Sequence, residues 1–260
     1  MTKVFIHGNP ETAAIWGPVI AELASRGVDD AVTVSPPGFG SSVPAGWGAT
    51  STEYVDWLIA EIDSLGSPVD IVAHDWGAGH LYGLLARRPD MVGSWIADCV
   101  GLLHPDYTWH DAAQGWQAEG LGEQIVEALV QMSEDDFAAA FVALGMTDPI
   151  AREVKRAVDT DMARCILALY RSAAQPRMAE LGARVAAARP PFGTVVVADG
   201  DHYAGTVAMM EQMAARLGAR TARMPGCGHW WMIEQPTRAA DMLIEHWGIA
   251  ANGGRAQPAG

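Results

Sequence analysis

The stretch Val69-Asp70-Ile71-Val72-Ala73-His74-Asp75-Trp76-Gly77-Ala78-Gly79 decides how the rest of the chain is read. It opens as a short apolar run rich in β-branched residues, the composition of a buried strand. It then breaks at His-Asp-Trp, set between the small residues Ala73 and Gly77, and a helix-like stretch from His80 to Arg87 follows. A strand that turns sharply into a helix carries one side chain at its apex, held clear of the sheet. The tightness of that turn requires small residues two before and two after. Here the apex residue is Asp75.

Working outward, Lys3 to Ile6 and Ala31 to Ser35 read as strands. Each ends in a strong loop signal, His7-Gly8-Asn9-Pro10 and Pro36-Pro37-Gly38-Phe39-Gly40. Ala13 to Arg26 reads as a helix. So does Thr52 to Leu65, with Tyr54, Val55, Leu58, Ile59 and Ile62 on one side. Gly93 to Val100 is the next strand. From Leu102 to about Arg177 the strand signal disappears, and Leu121–Met132, Asp135–Leu144, Ile150–Val158 and Asp161–Ala173 have helical spacing. A short helix is expected at Arg184–Arg189, strands at Thr194–Ala198 and Thr221–Met224, and helices at Thr206–Leu217 and Thr237–Trp247.

Hydrophobic strands alternating with helices predict an α/β fold, a mostly parallel sheet flanked by helices. Residues 1–101 and 177–249 would form one discontinuous domain, 102–176 a helical lid over the strand ends, and the Gly- and Ala-rich 250–260 a disordered tail. Ligands in such folds bind beyond the carboxyl ends of the strands. The Asp75 turn, the His7 turn, the Asp199–Asp201 loop and the His229 loop all fall at that edge.

The 260 residues suffice for one well-filled core, and half of them are hydrophobic. A formal net charge of −14 argues against a nucleic-acid surface and is compatible with a small neutral substrate. Cys99, Cys165 and Cys227 are widely spaced and fit no metal pattern, so they read as reduced thiols of a cytoplasmic protein. The N-terminal apolar run is too short for a signal peptide, and no apolar stretch approaches a membrane span.

Five motifs in order, His-Gly-Asn-Pro at 7–10, Pro-Gly-Phe-Gly-Ser at 37–41, His-Asp-Trp-Gly at 74–77, Asp-Gly-Asp-His-Tyr at 199–203 and Gly-Cys-Gly-His-Trp at 226–230, resemble the α/β-hydrolase fold over nearly the whole chain. More narrowly they resemble its haloalkane dehalogenase and epoxide hydrolase branch. The resemblance implies that Lys3–Ile6 stands where a full-length member has its third strand, so that the N-terminal hairpin is missing. It also makes the lid short and alanine-rich.

Asp75 takes the place of the nucleophile. A carboxylate can displace halide from carbon or open an epoxide, leaving an alkyl ester on the enzyme. On an ordinary ester it would give an anhydride, so Asp where an esterase carries Ser argues against a plain esterase. His229, after the last strand, stands where the family's base activates water. Asp201 is the expected acid that orients it, 28 residues earlier, with Asp199 and Asp98 as alternatives.

In dehalogenases the positions of Asn9 and Trp76 supply an amide and an indole N–H to the leaving halide, and their backbone N–H groups an oxyanion hole. Tyr170 stands where epoxide hydrolases carry a lid tyrosine that donates to the epoxide oxygen. Trp109 resembles the Thr-Trp found at the lid entrance of dehalogenases, and Trp116, His104 and His110 nearby either line the pocket or pack. The implied activity is cofactor- and metal-free hydrolysis of a small, largely apolar substrate with water as second substrate. Haloalkane dehalogenase leads, epoxide hydrolase follows, and a non-catalytic ligand-binding homologue is the reading of another class. A homodimer is left open.

Overall fold

A computed structural model describes residues 1–249, so the expected tail, 250–260, lies outside the described residues. In chain order the first half is β1 (Lys3–Ile6), α1 (Gly17–Ser25), β2 (Ala31–Val34), α2 (Ser51–Leu65), β3 (Val69–Ala73), α3 (Trp76–Arg87) and β4 (Val92–Ala97). Five consecutive helices follow, α4 (Asp111–Gln117), α5 (Leu121–Gln131), α6 (Glu134–Ala143), α7 (Asp148–Ala157) and α8 (Thr160–Ser172). The chain closes with α9 (Arg177–Ala188), β5 (Gly193–Ala198), α10 (Val207–Arg216), β6 (Arg220–Met224), α11 (Trp231–Glu234) and α12 (Pro236–Trp247).

The strands form one sheet in the order β2-β1-β3-β4-β5-β6, and every described pairing is parallel. The chain leaves β1 towards β2 on one side and β3 towards β4 on the other. The winding therefore reverses between β1 and β3, and a crevice opens at their carboxyl ends, where α/β sheets bind ligands. Ile6 lies opposite Ala73 in the register, so the His7–Pro10 turn and the Asp75 turn leave the sheet side by side.

Local chemistry explains the elements that flank this crevice. All five residues of β3 are buried, as its apolar composition demands of a central strand. Thr50 and Glu53 close a capping box on α2, each side chain taking the other's backbone N–H. Tyr54, Val55, Leu58 and Ile62 are its buried stripe. Trp16, Trp95, Trp231, Tyr54 and Tyr82 are the largest fully buried side chains.

Several expectations shift. β4 stops at Ala97 instead of running to Val100, because Cys99 turns into the left-handed region at φ 51° and a 3-10 turn, Val100–Leu103, follows. The segment after Thr12 opens as a 3-10 turn, Ala13–Trp16, before α1 begins with Pro18 in its first turn, where a missing N–H costs nothing. The short helix expected at Arg184 starts at Arg177, since the Ala- and Leu-rich run before it propagates helix freely. Two short helices, α4 and α11, escape periodicity because neither completes enough turns to show it.

Helices α4–α8 each bury one narrow stripe, for example Val126 on α5 and Phe137 on α6. The widest buried face is that of α8, with Met162, Cys165, Ile166, Leu169 and Tyr170, and it packs on α2, α4 and α5. Among the described residues no helix is long and apolar enough to cross a membrane.

Candidate active site

Asp75 sits at φ 49° and ψ −120°, a backbone conformation that costs a non-glycine residue about 1–3 kcal/mol. The turn is held from both sides. The His74 N–H donates to the Ile6 carbonyl at 2.9 Å, extending the β1–β3 ladder, and the Asp75 N–H donates to Asp98 Oδ1 at 2.9 Å. Close approach sets the neighbours: a Cβ on Gly77 would lie 2.4 Å from the Ile6 carbonyl oxygen, and one on Gly8 2.2 Å from Asp75 Oδ2.

The Asp75 carboxylate accepts the Asn9 backbone N–H at 3.0 Å through Oδ2. At the start of α3 the Ala78 N–H donates to the His74 carbonyl at 3.3 Å and the Gly79 N–H to the Asp75 carbonyl at 3.1 Å, while the Trp76 and Gly77 N–H groups have no intrahelical partner. Protein surrounds the Asp75 carboxylate everywhere except towards a cavity of about 170 Å3. Burial pushes its pKa up to about 6 against the pull of the His229 ring; Glu11 adds to the rise, and His74 and the Asn9 N–H oppose it.

His229 reaches the same cavity from the loop after β6. Its Nδ1 lies 2.9 Å from Asp201 Oδ2, and Asp201 Oδ1 accepts the Tyr203 backbone N–H at 2.8 Å. Asp201 therefore holds the imidazole, and Nε2 is the nitrogen left over. Burial works against charge on both partners, yet their attraction prevails, holding the Asp201 carboxyl below its ordinary range and the His229 pKa above its own. Of the alternatives, Asp199 is exposed and accepts the Gly226 N–H at 2.6 Å. Asp98 faces His74 instead.

Beneath the turn lies a buried network. His74 Nδ1 is 2.5 Å from Asp98 Oδ2 and its Nε2 is 3.1 Å from Glu11 Oε1. With a carboxylate at each nitrogen, the ring donates twice as an imidazolium. Burial opposes that charge, but Asp98 and Glu11 raise the His74 pKa well above its ordinary value. Burial would likewise raise Glu11, and the His74 charge and hydrogen bond hold it down at about 2. Asp98 also accepts the Trp231 indole N–H at 2.7 Å, while Glu11 accepts the Trp230 indole at 2.5 Å and the Gly8 N–H at 2.9 Å. Glu11 thus ties the His7–Pro10 turn to the Asp75 turn. His7 itself is neutral, its pKa lowered to about 4 by burial, and spans Gly8 and Ser35.

The sequence reading missed Glu11. Its signal was a carboxylate directly after the Asn9-Pro10 turn, matched by two adjacent tryptophans after His229. His74, read as merely part of the turn, is the centre of the network.

Of the remaining predicted residues, Asn9, Tyr170 and the lid-entrance pair His110 and Trp116 line the cavity, with an apolar surround that includes Pro10, Leu129, Phe141, Leu144 and Trp230. Asn9 is 5% exposed, and neither its Oδ1 nor its Nδ2 has a partner. The Tyr170 phenol stays protonated, its pKa raised by burial and then by the Asp75 charge. Trp76 and Trp109 stand behind this lining, stacked on each other with ring centroids 6.0 Å apart, and both meet the Tyr170 ring edge-on. His104 is bonded elsewhere, 3.0 Å from Gln212 Oε1.

A larger groove of about 380 Å3 runs between α2, α3 and α9 on the other side of Trp76, but it contains neither Asp75 nor His229. Among the described residues, two buried groups hold metal-ligand residue types, Glu11–His74–His229 and Cys99–Asp201–His229. In both, the carboxylate and an imidazole nitrogen are already spent on each other. The three cysteines are free, buried thiols.

Comparisons with known proteins agree with this architecture. A family model described as the alpha/beta hydrolase family matches residues 4–242. A haloalkane dehalogenase of Mesorhizobium japonicum is 31% identical over 135 residues, which is 48% of this chain and 42% of the relative. The chain therefore spans less than half the length of that curated relative. A crystal structure of DBJA superposes with a TM-score of 0.72 at 18% identity, covering 96% of this chain and 91% of that one. An E-2-(acetamidomethylene)succinate hydrolase does so at 0.68 with 16% identity over 95% and 91%. At such identities the shared property is the fold.

Proposed function

The chain belongs to the alpha/beta hydrolase family, and within it we propose a hydrolase in which Asp75 forms a covalent alkyl ester, with a small haloalkane as substrate. One Asp75 oxygen bonds to the halogen-bearing carbon as the carbon–halogen bond breaks and halide leaves. Water then adds to the ester carbonyl carbon while His229 Nε2 takes its proton. The tetrahedral oxyanion collapses, the bond to the alkyl oxygen breaks, and the alcohol departs with a proton from His229. Asp201 stabilises the imidazolium in between. The Asn9 N–H already on Oδ2, together with the Trp76 backbone N–H, is suited to the oxyanion. Helices α4–α8 act as the lid that keeps bulk water from the ester.

The observation that carries the halide reading is Asn9. A buried carboxamide with both polar atoms unpartnered costs about 1–3 kcal/mol per group, and a leaving halide beside Asp75 would relieve that cost at Nδ2. Trp76 backs this wall. Epoxide opening is the second reading, favoured by the protonated Tyr170 phenol in the same cavity.

The test uses purified protein and 1-bromobutane. Wild type should release bromide and 1-butanol continuously. His229→Gln should release at most one bromide per chain and leave a butyl group on the peptide that contains Asp75, visible by mass spectrometry. Diol formation from styrene oxide with no bromide from any bromoalkane would move the assignment to epoxides. Absence of an Asp75 adduct with either substrate class would sink it.

A further inference from the structure

His110 is a polar lining residue to which the reaction above gives no task. It precedes α4 and caps it, with Nδ1 accepting the Ala113 N–H at 3.3 Å. An imidazole nitrogen that accepts carries no proton, so in the neutral ring the proton sits on Nε2. The ring is neutral, because burial lowers its pKa to about 4 and the nearby His229 pushes the same way. Tyr203 and Trp116 fix its orientation by edge-on contacts at 4.9 and 6.2 Å. Among the described residues Nε2 has no hydrogen-bond partner.

Two other donors share this wall, the Trp116 indole N–H, which has no partner, and the Tyr203 hydroxyl, and the substitutions below separate His110 from them. Ala112, Leu129, Phe141 and Leu144 offer no polar side-chain atom. The protonated Tyr170 phenol is a further donor, on the lining beside Asp75. No Lys or Arg lines the cavity, and Asp75 repels anions, so the ligand that meets this N–H is uncharged.

We propose that the Nε2–H of His110 recognises an acceptor oxygen on the substrate, which makes small neutral oxygen-bearing alkyl halides, haloethers and haloalcohols, the class that this cavity takes. The proposal rests on the Asp75 reading and deepens it. The distance from the halogen-bearing carbon to the oxygen is short, since a cavity of about 170 Å3 admits only a few heavy atoms beyond the reacting carbon. A hydrocarbon tail in the same place leaves the imidazole N–H dry and unpaired, and a site built to bond an oxygen discriminates strongly against a substrate lacking it.

Two bromides of nearly identical shape supply the test: 2-bromoethyl methyl ether and 1-bromobutane, in which a methylene replaces the oxygen. The reading is the ratio of kcat/KM for ether over alkane in each protein, which removes their intrinsic difference in reactivity. His110→Asn keeps an acceptor where Nδ1 caps α4 but has nothing at the Nε2 position. His110→Gln reaches that position with an N–H and gives up the cap acceptor.

The Asn variant should lower the ratio about tenfold or more, and the Gln variant should hold it near wild type. A ring that only caps the helix would give the reverse order, Asn harmless and Gln damaging, and that result overturns the proposal, as does a ratio unmoved by either change. Binding of the unreactive 1,2-dimethoxyethane, followed in each protein by the shift of the Trp116 indole N–H resonance, separates this idea from its parent. If neither bromide reacts but the diether binds wild type and not His110→Asn, oxygen recognition stands while the Asp75 reaction falls. If the diether binds both proteins alike, recognition by His110 is refuted whatever the turnover.

Discussion

Below Asp75, the polar side chains spend themselves on one another: Glu11 and Asp98 clamp His74, and the Trp230 and Trp231 indoles and the Gly8 and Asp75 N–H groups complete the set. Above it, Trp109 and Trp116 keep indole N–H groups with no partner, and the apolar rim is only half covered, with Leu144 49% exposed. The lower region is therefore organised before any ligand arrives, so charge developing at Asp75 meets dipoles that need not turn. The upper region is completed by the ligand. Substitutions below should act on the chemical step and on stability together, and substitutions above on substrate choice.

Asp75→Asn should separate these two properties most widely. In the proposed reaction, loss of this carboxylate should cut turnover at least about 10⁴-fold. The same change should raise the melting temperature. The carboxyl has a folded pKa of about 6 against an ordinary 3.8, so its ionisation above that range is less favourable in the folded state than in the unfolded one. Its stabilising contribution is present when protonated and lost as pH rises from about 4 through 6. The gain from Asn should thus be full at pH 8, on the order of 2–3 kcal/mol, and shrink to nothing below pH 4. In wild type the same pKa places an acid limb near pH 6 in the rate of ester formation. Melting curves and single-turnover rates across that range check both. A limb near 4 with no thermal gain would mean that the lower region leaves Asp75 an ordinary surface carboxylate.

Glu11→Gln tests the network itself. It removes one partner of a buried ion pair and leaves His74 charged with one carboxylate, which costs about 3–5 kcal/mol. Denaturant unfolding should register this loss. Turnover should fall about tenfold to a hundredfold in kcat, with KM little changed, because the Gly8–Asn9 turn that donates to Asp75 loses its anchor. The acid limb should move to lower pH, since Glu11's charge is one of the causes that raise Asp75. A loss of stability with an unmoved limb would make Glu11 a structural group alone.

This division also explains what could be read from the sequence. The sheet, its parallel order and the edge that carries the loops follow from β-branched runs and turn residues, which act locally. The convergence of Asp75, His229 and Asp201 was legible because each lies just beyond the end of a strand, where topology fixes position. That of Glu11, His74 and Asp98 was not, because their partnership spans 63 and 24 residues and no local pattern announces it. Asp98 in particular could be weighed only against His229, when its partner was His74, next to Asp75. The unpaired state of Asn9 is likewise a property of packing. Short helices such as α4 failed for the opposite reason, having too little sequence to show a period.

The smallest effect expected belongs to the rim. Leu144 lines the cavity from the end of α6, yet half its surface already faces solvent. Leu144→Ala removes apolar contact at the cavity rim and almost nothing from the core. Forfeiting about 20–40 Å2 of apolar contact at roughly 25 cal/mol per Å2 amounts to about 0.5–1 kcal/mol. That should raise KM for 1-bromobutane about two- to fivefold, leave kcat in place, and shift the melting temperature by no more than about 1 °C. Uniform binding of ground and transition states is what a contact far from the reacting atoms supplies, and its loss appears in KM alone. Should Leu144→Ala instead lower kcat as far as Glu11→Gln does, the rim would be shaping the Asp75 geometry, and the contrast between a finished lower region and a ligand-completed upper one would fail at that residue.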